Sequence, residues 1–263
     1  MPRFVRVATK SGPRFGVVDG ASVVLLDGHP FGGHERTQEV LGLEGLRLLA
    51  PVIPTKIVGV GRNYAAHAEE LGNSVPAQDG MAMLFLKPSS SVIGPGDPIL
   101  LPTDMSSEVH HEAELAVVIG KILHRATPSE AEDAIFGFTC ANDVTARDLQ
   151  QTESQWLRAK GFDSFCPLGP AITTDLDSSD VQIRCIVDGE VRQDGTTKDL
   201  LRGIGELLSE ISQAMTLLPS DVVLTGTPAG VGPLLPGQTV SVEIAGIGSL
   251  VNPVVDRMAI ARD

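Results

Sequence analysis

The sequence has few cysteines and few aromatic residues, and its acidic side chains outnumber its basic ones. The three cysteines, at positions 140, 166 and 185, have no C-x-x-C spacing and cannot all pair, which favours a reducing compartment over a disulfide scaffold. The 20 Lys and Arg residues face 33 Asp and Glu, a formal net charge of -13, so a nucleic-acid partner is not expected. With 8 Phe, one Tyr and one Trp, base-stacking surfaces are not expected either.

Long hydrophobic runs are also missing. No stretch approaches the ~18 apolar residues of a membrane span, and the opening MPRFVRVATK lacks the apolar core of a signal peptide. We therefore expect a soluble, cytoplasmic protein with no membrane partner. With 42% hydrophobic and 20% charged residues in a chain of 263, the composition excludes disorder and provides a sizeable core.

The chain divides into two differently patterned segments. Residues 1–52 are typical of short strands with tight turns and predict a small β-rich N-terminal module, which a Pro51–Pro54 linker joins to a larger domain, residues 53–263. Within the second segment, strands are predicted at Lys56–Val60, Leu115–Ile119, Phe138–Ala141, Val222–Thr225 and Val240–Ile244.

Fewer helices than strands are predicted. A short helix covers Tyr64–Leu71, a capping box opens a second over Thr127–Gly137, and a 3.6-residue apolar period predicts the longest over Asp199–Leu218. The dipeptide Asp188–Gly189 predicts a hairpin turn. Because strands dominate and do not alternate regularly with helices, the pattern favours an α+β, predominantly β fold over a doubly wound parallel sheet.

Two acidic residues lie at the start of a strongly apolar strand. Glu112 and Glu114 are two positions apart, so both carboxylates leave the same face of the strand, about 7 Å apart along the backbone. Buried together, they would repel each other unless a cation lay between them. The alternative is that this end of the strand lies in solvent, and the spacing alone does not decide between the two.

A third carboxylate favours the metal site. Asp143 ends another apolar strand, and three oxygen ligands without a Cys or His cluster would select a hard ion such as Mg²⁺, Mn²⁺ or Ca²⁺. His67 and Glu70, at i and i+3 of the short helix, would form an imidazole oriented by a carboxylate, the arrangement of a general base. Taken alone, this spacing is more typical of an ordinary surface pair.

Two further segments carry candidate anion-binding groups. Lys160 lies in an apolar loop rich in Gly and Pro, where an ammonium would pair with a substrate carboxylate or a developing enolate. Thr227, in a glycine-rich turn, would bind an anion together with nearby N–H groups, although a plain turn is a fair alternative. The G-x-S-x-G motif and the phosphate-loop lysine motif are absent, which leaves nucleophilic catalysis without support.

Six motifs follow one another in the second segment. They are Gly61-Arg-Asn-Tyr-Ala-Ala-His67, Leu84-Phe-Leu-Lys-Pro-Ser89, His110-His-Glu-Ala-Glu-Leu115, Asn142-Asp-Val-Thr-Ala-Arg-Asp148, Ala159-Lys-Gly-Phe-Asp163 and Leu224-Thr-Gly-Thr-Pro-Ala-Gly-Val-Gly232. Their order resembles that of the fumarylacetoacetate hydrolase family, and the resemblance covers about residues 54 to 254, most of the chain. The motifs are much more specific for the family than for one substrate.

The resemblance implies a mixed β-sandwich or β-roll with peripheral helices, usually a homodimer. It assigns catalytic roles to His67 and Glu70, a pair carried by a mobile lid in short members, and to Lys160. The remaining residues that it assigns are the Mg²⁺ or Mn²⁺ ligands Glu112, Glu114 and Asp143, for which Ca²⁺ is a substitute, and the substrate contacts Arg62, Lys87, Gln150 and Thr227. The single tyrosine, Tyr64, separates this chain from the larger family members and implies a smaller, more polar substrate.

The expected activity follows from these assignments. A divalent-metal-dependent enzyme would act on a small anionic 2-oxo acid through a metal-bound enolate, with hydrolytic C–C cleavage of an acylpyruvate-type 2,4-dioxo acid placed first. Isomerisation of 2-hydroxyhepta-2,4-diene-1,7-dioate and decarboxylation or tautomerisation of oxaloacetate pass through the same kind of intermediate and stay open. The alternative from another class is a catalytically silent anion-binding protein.

Overall fold

The computed structural model of the chain describes residues 1–70, 72 and 80–260. Strands dominate this part of the chain, and helices are few and short. In chain order, the strands are β1 (Arg3–Thr9), β2 (Gly12–Asp19), β3 (Ser22–His29), β4 (Gly33–Gly42), β5 (Leu48–Leu49), β6 (Ile57–Gly61), β7 (Met83–Lys87), β8 (Val92–Ile93), β9 (Ile99–Leu101), β10 (Val109–His111), β11 (Ala113–Ile119), β12 (Ile135–Asn142), β13 (Thr145–Ala146), β14 (Cys166–Thr173), β15 (Gln182–Val187), β16 (Glu190–Thr196), β17 (Val222–Leu224), β18 (Gly232–Pro233), β19 (Thr239–Ile244) and β20 (Gly248–Asp256). The helices are α1 (Ala65–Glu70), α2 (Pro128–Glu132), α3 (Arg147–Thr152), α4 (Leu157–Gly161) and α5 (Ile204–Ala214). None of these helices is long and apolar enough to cross a membrane.

The predicted α+β, predominantly β fold is confirmed. The largest sheet runs in the order β4-β3-β2-β1-β14-β12-β11-β17-β6-β7, and it is mixed, because β17 and β6 are parallel whereas most other pairs are antiparallel. A five-stranded sheet, β16-β15-β19-β20-β9, packs across β11, β12 and β14. The main core lies between the two sheets, where side chains such as Leu115, Phe138 and Val242 meet. The arrangement is a mixed β-sandwich, as the resemblance implied.

The central strand β11 explains how the sandwich places polar groups deep inside the protein. All seven of its residues are buried, because it has neighbours on both edges and on both faces. Glu114 lies within this strand and Glu112 directly before it. The apolar sequence that buries the strand therefore buries these carboxylates as well.

The N-terminal strands extend the large sheet. Strand β1 pairs antiparallel with β14, with Phe4 opposite Ile172, so the main-chain hydrogen bonds continue between the two predicted segments. Val52, in the predicted linker, is fully buried. The division between residues 1–52 and 53–263 stays a prediction of the sequence.

The hairpin and the capping box have the predicted geometry. Asp188 and Gly189 have φ values of 50° and 84°, which suits a two-residue turn between β15 and β16. At the start of α2, Thr127 Oγ1 accepts a hydrogen bond from Glu130 N, and the Glu130 side chain accepts from Thr127 N. Both features depend on adjacent residues, which makes them readable from sequence.

The predicted helix ends need correction. The longest helix begins at Ile204, because Gly203 before it is extended and Leu201 N bonds to Asn63 O. It ends at Ala214, because the chain that follows pairs with Leu123. The second helix ends at Glu132, since the predicted helical residue Gly137 lies in β12. Tertiary pairing outweighs helical periodicity at these ends. The predicted end of the first helix at Leu71 lies outside the described residues.

Candidate active site

A cavity of about 400 Å³ opens beside the ends of the central strands. Its floor is formed where β11 begins and β12 ends, and its walls come from β6, β7 and the short helices α1, α3 and α4. Of the sequence-predicted site residues, the cavity brings together His67, Lys160, Arg62, Gln150, Thr227, Glu112, Glu114 and Asp143.

Three carboxylates form the floor. Glu112, Glu114 and Asp143 are 4%, 2% and 0% exposed, which excludes the alternative that this end of the strand lies in solvent. One oxygen from each residue lies within 4.8 Å of the others. Antiparallel pairing of β11 with β12 produces this geometry, because Ala113 lies opposite Asn142 and the carboxylates flank that pair.

Three cations surround the carboxylates. Lys160 Nζ lies 2.8 Å from Glu112 Oε2 and 2.5 Å from Asp143 Oδ2. Arg147 Nη2 lies 2.6 Å from Glu112 Oε1, and Lys87 Nζ lies 2.5 Å from Asp143 Oδ1. Burial alone would raise the pKa of Glu112, but Lys160 and Arg147 outweigh it and hold that pKa well below its usual range.

Glu114 differs from the other two carboxylates. Within the described residues, its carboxylate accepts one hydrogen bond, from Gly226 N at 2.7 Å, and forms no ion pair with a cation. Burial, followed by repulsion from Asp143 and Glu112, raises the pKa of Glu114 well above its usual value. A divalent cation among the three carboxylates would relieve this repulsion, and an all-oxygen donor set suits Mg²⁺ or Mn²⁺. The residues present therefore fit the predicted metal.

Unpartnered polar atoms surround the same carboxylates. Tyr64 Oη, Asn142 Nδ2 and Arg147 Nε are buried and have no hydrogen-bond partner in the described part of the chain. Asn142 accepts from Glu112 N through its oxygen, Arg147 binds Glu112 through Nη2, and Glu114 contributes to the raised pKa of Tyr64. Buried polar atoms without partners are uncommon in folded proteins, and here they mark a place where solvent or a ligand completes the site.

The predicted His67–Glu70 pair is present on α1. His67 Nδ1 lies 3.5 Å from Glu70 Oε2, and both carboxylate oxygens of Glu70 accept from Gly230 N, at 3.0 and 3.1 Å. His67 lines the cavity, whereas Glu70 does not. Burial lowers the pKa of His67, so the ring is neutral near pH 7. With the Nδ1 proton directed at Glu70, Nε2 is left as the proton acceptor.

Lys160 is a buried ammonium. Burial alone would lower its pKa, but Asp143 and Glu112 outweigh that effect and raise it above the usual value. The ammonium also lies 4.8 Å from the centre of the Phe85 ring. A permanently charged group that faces the cavity would stabilise an anion formed there.

The proposed substrate contacts fall into two groups. Arg62, Gln150 and Thr227 line the cavity, but Gln150 Oε1 accepts from Arg147 Nη1 and Thr227 Oγ1 donates to Ala113 O. A substrate would therefore meet the amide NH₂ of Gln150 and a lone pair of Thr227. Lys87 does not line the cavity: its ammonium bonds to Asp143 and to Val144 O, and its role as a substrate contact stays a prediction.

Sequence reasoning missed several residues of the site. Arg147 lies in the Asn142–Asp148 motif directly after a buried strand, a position that marks it as a candidate but does not indicate its contact with Glu112. Gln193 comes from the distant β16 and holds His111, Ala113 N and Thr227 together. Phe85 and Trp156 supply aromatic walls to the cavity, although the single tyrosine had implied a smaller, more polar substrate.

Comparison with known proteins agrees with this geometry. Residues 56–255 match the family model described as fumarylacetoacetate (FAA) hydrolase C-terminal. The chain belongs to the fumarylacetoacetate hydrolase family. Residues 3–51 match the family model described as Rv2993c-like, N-terminal.

Relatives in this family have several reactions in their names. The chain is 43% identical to a mitochondrial oxaloacetate decarboxylase of Dictyostelium discoideum, over 73% of this chain and 89% of the relative. It is 42% identical, with a TM-score of 0.90, to the structure of a 2-hydroxyhepta-2,4-diene-1,7-dioate isomerase from Mycobacterium marinum, which covers 98% of this chain and 99% of that one. A maleylpyruvate hydrolase from Sphingobium sp. SYK-6, solved with manganese(II) and pyruvate, has 30% identity and a TM-score of 0.78 over 97% of this chain and 99% of that one.

Proposed function

We propose that this chain is a divalent-metal-dependent enzyme that hydrolyses the C–C bond of acylpyruvate-type 2,4-dioxo acids. The observation that supports the proposal is one cavity in which a carboxylate triad, a buried ammonium and a neutral imidazole meet. Glu112, Glu114 and Asp143 would hold Mg²⁺ or Mn²⁺, and the bound ion would supply Lewis-acid polarisation of the substrate carbonyl. The manganese and pyruvate in the Sphingobium hydrolase structure support this choice of ion and ligand.

Substrate binding would use the cations and amides of the cavity walls. A 2-oxo acid is anionic at neutral pH, and Lys160, Arg147 and Arg62 line the cavity as positive charges despite the negative total of the chain. The Gln150 amide and the Thr227 oxygen would fix its orientation. Once a divalent ion offset the three lining carboxylates, these cations would make the cavity suit a small anion.

The chemical step would begin at His67. Its Nε2 accepts a proton from water, and the water oxygen bonds to the acyl carbonyl carbon. The C–C bond between that carbon and the pyruvate unit then breaks, and its electron pair passes to the pyruvate unit as an enolate. Lys160 stabilises the negative charge, and a proton returned to carbon gives pyruvate and a carboxylate.

Oxaloacetate decarboxylation and 2-hydroxydienedioate isomerisation are the second candidates. They form enolates or dienolates that the same ammonium would stabilise, and the names of two relatives support them. Decarboxylation needs no attacking water. We therefore expect His67→Gln to lose acylpyruvate hydrolysis by about 10²-fold or more while retaining any decarboxylation of oxaloacetate.

The decisive experiment is an assay of the Mg²⁺-loaded protein. The substrates are acetylpyruvate, fumarylpyruvate, oxaloacetate and 2-hydroxyhepta-2,4-diene-1,7-dioate, and the products are identified by mass. We expect pyruvate and acetate from acetylpyruvate, with no product after EDTA treatment and recovery when Mg²⁺ is returned. An unchanged rate in EDTA would contradict the metal role. Metal-dependent thermal stabilisation without turnover of any of the four would instead indicate a silent anion-binding protein.

Assembly and location are separate parts of the proposal. The family resemblance implies a homodimer, which equilibrium sedimentation of the purified chain measures directly. A cytoplasmic location is checked by fractionation of the source cells.

A further inference from the structure

Two cavities meet at a pair of aromatic rings. Beside the site lies a second, largely apolar groove of about 610 Å³, formed mainly by residues of β7 and of the segment 154–157 that leads into α4. Phe85 and Trp156 line both the site cavity and this groove. Their ring centres are 5.7 Å apart and the rings meet edge to face, at 63°. The two rings therefore form a partition between an ionic space and an apolar one.

Lys160 connects the charged groups with the partition. Its Nζ bonds to the floor carboxylate of Asp143 and lies 4.8 Å from the centre of the Phe85 ring. The Phe85 ring contacts the Trp156 ring, and both rings also line the apolar groove. A substrate whose 2-oxo acid lies at the carboxylates and Lys160 is therefore within reach of the partition.

Two glycines of β6 allow the rings to lie against the strand. A Cβ on Gly59 would stand 2.1 Å from Phe85 Cζ, and a Cβ on Gly61 would stand 2.9 Å from Trp156 Cζ3. Both distances are shorter than packed carbon atoms adopt. The rings can occupy these positions only because Gly59 and Gly61 have no side chains. Trp156 is half-buried.

We propose that Trp156, backed by Phe85, is the specificity-determining wall that limits the length of the group attached to the 2-oxo acid. The inference rests on the proposed function for the placement of the 2-oxo acid end, and it narrows the substrates to those with a short, compact distal group. Without the indole, the site cavity and the apolar groove become one space, and a longer alkyl chain enters the groove.

Binding of straight-chain 2-oxo acids tests the wall independently of turnover. Calorimetry with pyruvate, 2-oxobutanoate, 2-oxohexanoate and 2-oxooctanoate is carried out in Mg²⁺ on the full chain. Each buried methylene contributes about fourfold in affinity. In the wild type we expect this gain to stop or reverse as the chain lengthens, whereas in Trp156→Ala it continues to 2-oxooctanoate. Trp156→Phe is expected to fall between them, and Leu235→Ala, a change at an exposed residue outside both cavities, to match the wild type.

The only tryptophan of the chain supplies a second measurement. Because the indole borders the cavity, wild-type fluorescence should change on ligand binding, with a larger change for 2-oxobutanoate than for pyruvate. The proposal is wrong if affinity depends on chain length in the same way for the wild type and for a folded Trp156→Ala. It is also wrong if no bound ligand changes the tryptophan emission spectrum of the wild type. Circular dichroism melting confirms folding, and Trp156→Phe serves if the alanine variant unfolds.

The two proposals fail in different ways. If no acylpyruvate is hydrolysed but the affinity profiles diverge as expected, the wall stands and the reaction is wrong. If the wild type and Trp156→Ala both hydrolyse acetylpyruvate with the same preference among longer acylpyruvates, the reaction stands and the wall is wrong.

Discussion

Strand β17 has a buried carboxylate site near each end, and the two sites are built differently. Before the strand, Asp221 is fully buried and accepts from four donors: Thr55 Oγ1, Lys56 N, Lys56 Nζ and Leu218 N. Beyond its other end, Gly226 N reaches Glu114 in the carboxylate triad. The first site is one carboxylate whose oxygens are saturated by donors, whereas the second gathers three carboxylates that disfavour one another's charge.

The difference distinguishes a buried carboxylate that stabilises the fold from buried carboxylates that are suited to bind a ligand. Asp221 receives its compensation from residues next to it in space, so nothing from outside is needed. At the triad, Glu114 has no cation of its own in the described residues, and buried polar atoms of Tyr64, Asn142 and Arg147 lack partners. A folded chain tolerates such a site where an external group completes it.

The largest effect is expected from Glu114→Gln. The amide keeps the shape but removes one negative charge, so kcat/KM for the Mg²⁺-loaded enzyme should fall by about 10³-fold or more, because the ion supplies several kcal/mol of transition-state stabilisation. The Mg²⁺-dependent rise in melting temperature should also disappear. The metal-free variant should melt no lower than the wild type, because burial and the neighbouring carboxylates disfavour a charge at this position and an amide carries none. Glu44→Gln, at an exposed position, is the matched control. If Mg²⁺ still raised the melting temperature of Glu114→Gln, the distinction between the two carboxylate sites would be wrong.

The next effect concerns the structural carboxylate. Asp221→Ala leaves buried donors without an acceptor and should lower the free energy of unfolding by about 3 kcal/mol, measured by urea denaturation. The kcat of the folded variant should stay near that of the wild type, since Asp221 does not line the cavity. Lys56→Met should cost less, because this side chain is 24% exposed and is one of several donors. A large loss of kcat in folded Asp221→Ala would contradict its structural role.

Gln193 positions residues of the site by hydrogen bonds and carries no charge, so its substitution tests the geometry of the site. Its amide donates to Thr227 Oγ1 and Pro228 O and accepts from Ala113 N, and its oxygen lies 3.1 Å from His111 Nδ1. Burial lowers the pKa of His111 to about 4, so the ring is neutral and donates through Nδ1.

Gln193→Met keeps the volume but leaves these partners unpaired. The free energy of unfolding should fall by about 2 kcal/mol. KM should rise more than kcat falls, because Thr227 loses its support. Steady-state kinetics and urea denaturation measure both effects, and an unchanged KM with reduced stability would show that Gln193 serves the fold alone.

The smallest expected effect is in the acid limb of the pH profile. Protonation removes the base, so kcat/KM falls as the pH drops through the pKa of His67, and burial lowers that pKa from 6.5. Between pH 7.5 and 6.5 the enzyme should therefore lose less than about half of its activity, less than an imidazole of ordinary pKa would lose. A midpoint above 6.5 would show that the carboxylates near His67, and not its burial, dominate its charge.

Most of the chemistry was readable because it lies in short segments. The two-residue spacing of Glu112 and Glu114 places both carboxylates on one face, and Asp143 ends a recognisably apolar strand. The i, i+3 spacing of His67 and Glu70 places them on one face of α1, and the Asp188–Gly189 turn requires only its own backbone angles.

The rest depends on pairs that are distant in sequence. Arg147 reaches Glu112 across 35 positions, and Gln193 reaches His111 across 82, so no local pattern indicates either contact. The helix at Ile204–Ala214 is shorter than its apolar periodicity because the flanking segments bond to other parts of the chain. Lys87 was assigned from its motif, but only the register of β7 on β6 decides that its ammonium lies behind Asp143.

By itself, the sequence determined the residue types of the site, the family, the β-rich class and the hard-ion donor set. These follow from spacing, polarity and motif order, which are local properties of the chain. The tertiary structure alone decided that the three carboxylates share one buried floor, which cations neutralise them and that two aromatic rings separate the cavity from an apolar groove. Those relations depend on sheet register and packing between distant strands, and the free energy of such contacts belongs to the assembled fold.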